Sequence, residues 1–194
     1  MKKFSFFIIL IICASCKNDY ENEEIKALTD ITNDYLKRSH LNLQKEYLKL
    51  DTLQIDNSEL DFDVYISDAL IPIKQIKEDN EWMFSNNFSK KNSILFNKLI
   101  NSEKFNSLTY REFDKTKIKL EKPYNQMLIK NDKTLSGKEY LMFNYSRVCF
   151  NDKMDKGIVV IDYKIGDRYG FNQGYNMSLI LTKSNGKWTY IKAD

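Results

Sequence analysis

Gly157-Ile158-Val159-Val160-Ile161-Asp162-Tyr163-Lys164-Ile165 is the stretch on which the fold turns. Val159, Ile161, Tyr163 and Ile165 recur at every second position in a β-branched run, which predicts a strand with one apolar face. Downstream, Met177, Leu179 and Leu181 repeat that two-residue period over 177–183. Ser184-Asn185-Gly186 then predicts a tight turn, because Asn-Gly supplies positive φ angles readily. Lys187-Trp188-Thr189-Tyr190-Ile191 returns as the last strand, and 138–150 upstream is strand-like as well. The C-terminal third therefore reads as a meander closing on a hairpin.

Further upstream, Phe62, Val64 and Ile66 alternate through 61–67, which predicts another strand; Pro72 ends it, since proline cannot donate into a ladder. Ile25, Leu28, Ile31, Tyr35 and Leu36 recur at helical spacing, predicting an amphipathic helix over 23–38. Glu21, Glu23 and Glu24 cluster at its start, with Lys37 and Arg38 at its end, which complements the helix dipole. A second helix is expected over 92–108, with Leu95, Phe96, Leu99 and Ile100 on one face. Between 109 and 135 the pattern is weak; Lys117-Ile118-Lys119-Leu120 predicts a short strand closed by Pro123. No repeat or linker interrupts the chain. The expectation is one α+β domain over 23–194, an N-terminal amphipathic helix packed on an antiparallel sheet.

Composition sets broad limits. With 194 residues, 42% hydrophobic and 29% charged, the chain has the make-up of a globular domain that needs no disulfide staples. Without Lys2 and Lys3 it carries 28 basic and 27 acidic residues, so broad phosphate neutralisation, and with it nucleic acid as a partner, is disfavoured. Only Arg38, Arg111, Arg147 and Arg168 offer planar bidentate contacts to phosphate.

The N-terminus carries the sharpest functional signal. Met1-Lys2-Lys3 is followed by an apolar run from Phe4 to Ile12 and by Cys13-Ala14-Ser15-Cys16. A basic start, an apolar stretch and small residues before a cleavage point are the layout of a secretory signal peptide, predicted over 1–15. The stretch from Phe4 to Cys16 falls short of the ~20 residues a spanning helix needs. Ala14-Ser15-Cys16 resembles the lipobox of bacterial lipoproteins, although Cys13 stands where an aliphatic residue is usual. That resemblance implies a diacylglycerol on the Cys16 thiol and an acylated new N-terminus, followed by a lipidated tether over 16–22. It implies an outer-membrane location, with the periplasmic and cell-surface faces both open. Lys17-Asn18-Asp19-Tyr20-Glu21 resembles, loosely, the export signal of surface-exposed Bacteroidetes lipoproteins. Ser146-Arg147-Val148, Phe150-Asn151, Gly170, Gly174 and Gly186-Lys187-Trp188 together resemble a group of Bacteroidetes lipoproteins of no known activity. A helix followed by such a meander is also similar to cone-shaped folds of the nuclear-transport-factor-2 or cystatin type, a likeness of fold alone.

No linear motif announces catalysis. Cys149 sits in a predicted strand, and the one histidine, His40, stands far from it in sequence, so the thiol reads as a small buried apolar residue. One histidine and one unmodified cysteine do not make a zinc site, and Asp56, Asp61 and Asp63 lack calcium-loop spacing. No metal, cofactor or catalytic residue is assigned. Gly166, Gly170 and Gly174 predict turns in a loop whose Arg168, Tyr169, Phe171, Asn172, Gln173 and Tyr175 suit ligand or protein contacts. The leading expectation is a lipid-anchored, non-enzymatic envelope domain that binds a protein or other envelope ligand through that loop. The alternatives are a small-molecule-binding or hydrolytic pocket between helix 23–38 and the meander, and an immunity protein against an envelope-directed toxin. A pocket that gathers His40, Asp162 or Tyr163 would distinguish the first of these.

Overall fold

The computed structural model describes residues 19–39, 62–84, 90–127, 140–167 and 170–192. Helix α1 covers 19–39, so it includes Asp19–Asn22, which were expected to belong to a tether. Strand β1 (Phe62–Ile71) follows and stops at Pro72 as expected. Next come α2 (Ile73–Asp79), a 3₁₀ turn (Glu81–Phe84), α3 (Lys90–Ile100) and α4 (Glu103–Ser107). Then follow β2 (Arg111–Glu112), β3 (Tyr124–Met127), β4 (Tyr140–Ser146), β5 (Cys149–Phe150), β6 (Lys156–Asp167), β7 (Gly170–Ser184) and β8 (Lys187–Lys192).

The sheet order is β2-β1-β4-β6-β7-β8, with β3 also on β1 and β5 also on β6. The fold is α+β, with the N-terminal helix packed on a mostly antiparallel sheet as expected; β1 departs from the pattern, running parallel to both β3 and β4, so the sheet is mixed there. The cause is the long connection after β1, which carries α2, α3 and α4 across the sheet before β4 enters; parallel neighbours need such a crossover. Asn185 and Gly186 both take positive φ, at 50° and 75°, and close the C-terminal hairpin as the Asn-Gly pair predicts.

Two apolar layers hold the sheet. On one face Ala27, Leu28, Ile31 and Leu36 of α1 pack on Val64, Phe143, Tyr145, Val159, Ile161, Leu179 and the fully buried Trp188. On the other face Ile73, Met83, Phe84, Phe96, Leu99 and Phe105 cover Cys149, Ile158, Val160 and Ile180. Strand β6 shows the division: Ile158 to Ile161 are buried on both faces, whereas Asp162 and Lys164 emerge where the second layer ends.

Three expected elements differ. The helix expected over 92–108 is two helices, because the Ser102 hydroxyl accepts from the Phe105 N–H and starts α4 afresh. The strand expected at Lys117–Leu120 is instead a 3₁₀ turn over Lys115–Lys117 whose N-cap is Asp114, with Ile118 buried in the first layer. The loop expected around Gly170 and Gly174 is largely strand, since β7 pairs with β6 from Asp167↔Gly170 onward. Gly174 lies opposite Lys164, and a Cβ there would stand 3.2 Å from Lys164 Cγ, so close side-chain approach rather than a turn explains it.

Candidate functional site

A groove of about 300 Å³ opens where the second layer ends. Its floor is built by register. Asn144 on β4 lies directly opposite Asp162 on β6, and Asp162 lies opposite Asn176 on β7, so an amide, a carboxylate and an amide form one polar row across three strands. Asn144 Nδ2 donates to Asp162 Oδ2 at 3.0 Å, and Lys164 Nζ stands 2.8 Å from the same oxygen. Ser67, Ala69 and Ile71 of β1 form one wall, and Ile76, Asn80 and Met83 the other. The Ser178 hydroxyl donates to the Met83 carbonyl at 2.9 Å and ties that second wall to the sheet.

Ser146 lies in the groove but is committed to the backbone, accepting from Val160 N–H at 2.8 Å and donating to the Arg147 carbonyl at 2.9 Å. Trp82, between Asn80 and Met83 in the chain, is 64% exposed. Asp162 therefore lies in a cavity, whereas Tyr163, its neighbour on β6, points into the first layer beneath α1. Among the described residues, Ala27, Leu28, Ile31 and Leu36 of α1 pack directly on the sheet, and the groove lies on the opposite face.

A second constellation joins α1 to the core. The Glu24 carboxylate is fully buried and accepts from Arg147 Nε at 3.0 Å, from the Val148 N–H at 2.7 Å and from Arg111 at 2.6 Å. Arg147 also donates to the Thr109 carbonyl, and Arg111 pairs with Glu21. Glu23 takes Lys183 and the Trp188 indole N–H. The acidic helix start, expected to serve the dipole, thus engages three cations: Glu21 and Glu24 share Arg111, Glu24 also takes Arg147, and Glu23 takes Lys183. Tyr20 donates to the Val148 carbonyl, and burial followed by the nearby Glu24 charge pushes its phenol well above the usual range. These contacts are a weld rather than a reactive centre.

Cys149 is fully buried, and burial pushes its thiol up, as expected of a packing residue. Among the residues expected to meet ligands, Phe171, Asn172 and Gln173 lie on the backbone of β7, and Tyr175 is 55% exposed opposite Tyr163. Arg168, Tyr169, His40 and Cys16 lie outside the described residues, as do Asp56 and Asp61. Among the described residues no group of three or more His, Cys, Asp or Glu could hold a metal ion, and no helix is long and apolar enough to cross a membrane. The polar row could not be found by motif, because its members are spaced by strand register rather than along the chain. No family model, curated protein or solved structure matches this chain.

Proposed function

We propose that the protein is a lipid-anchored, non-enzymatic binding domain of the cell envelope, and that its ligand is a short polyhydroxylated molecule, a saccharide, held in the Asp162 groove. The observation that carries the reading is the Asn144–Asp162–Asn176 row. Sugar hydroxyls both donate and accept; amides answer both needs, and a carboxylate accepts two donors at once. The volume, about 300 Å³, lies at the small end of ligand pockets and suits one or two sugar rings.

Binding is favoured over catalysis by the chemistry of the lining. Nucleophilic catalysis needs a hydroxyl or thiol beside a base, and glycoside cleavage usually a pair of carboxylates, whereas Asp162 is the one carboxylate among the groove's described lining residues. Ser146 has both its donor and an acceptor position engaged by backbone, and Asp162 is engaged by Asn144 and Lys164. The location rests on residues 1–16: a basic start, an apolar stretch and Ala14-Ser15-Cys16. Two or three acyl chains hold a protein at a bilayer where one does not, since each buried methylene contributes ~0.8 kcal/mol.

The test is direct. Protein purified from membranes is titrated with a panel of envelope-derived oligosaccharides by calorimetry, beside Asp162→Asn. Saturable binding by the parent that the variant loses supports the reading; turnover of any panel member by the parent overturns its non-enzymatic part, and no binding across the panel overturns the ligand class.

A further inference from the structure

We infer that the domain stands end-on against the bilayer, with the turns at 151–155 and 184–187 facing the lipid headgroups and the β6–β7 hairpin tip pointing away. This rests on the lipid-anchor reading of Cys16. Cys16 and Asp19 are three residues apart, and a fully extended chain spans at most ~3.6 Å per residue, so no conformation separates their Cα atoms by more than about 11 Å. Asp19 already belongs to α1, and α1 is not free to swing. Glu24 to Arg147, Arg111 and Val148, Glu23 to Lys183 and Tyr20 to Val148 fix its first two turns to one end of the sheet. An acylated Cys16 must therefore bring that end to the membrane.

Register identifies what lies there. Lys156 pairs with Thr182, and the Lys183 N–H bonds to the Asp155 carbonyl, so the turns before β6 and after β7 share this end. Lys104 joins them through Asp152, and Tyr110, 53% exposed, precedes the Arg111 that holds Glu21. Tyrosines of this kind settle at the headgroup level of bilayers. Lys104, Lys153 and Lys187 share this end with Asp19 and Asp152, a charge balance too even to orient the domain by itself. The short connection and the weld set the geometry. At about 3.3 Å per residue, the 12 residues of β6 carry the Asp167–Gly170 tip some 35 Å further from the bilayer. Tyr175 lies toward that distal end, where it meets whatever approaches the envelope surface.

The experiment uses the full lipidated chain, reconstituted in vesicles of phosphatidylethanolamine and phosphatidylglycerol. A single fluorophore is placed at Lys153→Cys, Asn185→Cys or Tyr175→Cys; Cys149 is buried and does not compete. Nitroxide-bearing headgroups should quench the labels at 153 and 185 several-fold more than the label at 175. Flotation with the vesicles is scored first. Flotation with equal quenching at all three positions overturns the orientation and leaves the anchor standing. Failure to float overturns the anchor and the orientation together. Inserting a long Gly-Ser segment before Asp19 should abolish the difference in quenching; a difference that survives it would overturn the short connection as the cause.

Discussion

The carboxylate of Glu24 accepts a hydrogen bond from Arg147 Nε at 3.0 Å, across 123 residues of chain, with Glu24 fully buried and Arg147 only 8% exposed. A buried ion pair of this sort adds little when compared with an apolar replacement, but losing one partner strands the other charge without solvent. Glu24→Ala should therefore destabilise the domain by ~3–5 kcal/mol. A fall of that size should appear in the urea midpoint with an unchanged slope. Replacing Glu24 and Arg147 together by apolar residues should recover much of the loss. A single-variant effect below ~1 kcal/mol, the range of exposed pairs, would mean that water reaches the site.

The same residue shows where sequence reading stops. The 3.6-residue period marks α1 correctly, and Glu24 falls on its buried stripe, three before Ala27 and four before Leu28. Nothing local distinguishes it from Glu21 or Glu23, because its partners are supplied by the end of β4 and by β2. The meander was legible for the opposite reason: period-two alternation and Asn185-Gly186 are local signals, and β7 and β8 pair as those signals require. The parallel pairing of β1 with β4 was not, since it depends on a crossover whose helices fill the second layer. The groove inherits that difficulty. Its floor is an accident of register in three strands, and its far wall comes from α2 and the turn after it. The change from apolar Ile158 and Val160 to Asp162 and Lys164 on one face of β6 is its only trace in the sequence.

Asp162→Asn tests the groove without disturbing the fold. The side chain keeps its shape, lies at a partly exposed position and gives up only its pairing with Lys164. Stability should change by less than ~1 kcal/mol, as for other surface pairs. A hydrogen bond to a charged group contributes ~1.5–3 kcal/mol, so saccharide affinity should fall roughly ten- to a hundredfold. Equal affinity in parent and variant would place the ligand elsewhere.

Cys16→Ala should release the protein from the membrane and abolish incorporation of a palmitate analogue, while leaving the thermal midpoint of the isolated domain unchanged. The described contacts that hold α1 to the sheet are made from Tyr20 onward, so stability and location should separate cleanly. A variant that still partitions with membranes would show that attachment does not depend on the Cys16 lipid.

Gly186→Ala isolates one backbone term. The glycine has φ of 75°, and nothing lies within 4 Å of the position a Cβ would take, so no clash contributes. The cost should be the left-handed strain alone, ~1–2 kcal/mol, read as a lower urea midpoint. A larger loss would mean that the hairpin had shifted register.

Alkali should unfold the domain, and the sign follows from four phenols and a thiol. Burial pushes Tyr190 up to about 12 from 10.0, and pushes Tyr20, Tyr124 and Tyr145 higher still. The Cys149 thiol is raised from 9.0, again chiefly by burial. In the unfolded chain these groups lose their protons at their ordinary values, while the folded protein still holds them. Above pH 9 to 10 the unfolded state therefore binds fewer protons, and stability falls as pH rises. The contribution is complete below the unfolded values and is lost as pH climbs through the folded ones, so the urea midpoint should be level from pH 8 to 9 and drop steeply by pH 12. Tyr145→Phe removes one titrating group along with its hydrogen bond to Thr32, so it should lower the plateau and flatten the alkaline limb. An alkaline limb of equal steepness in that variant would assign the pH dependence to the other groups.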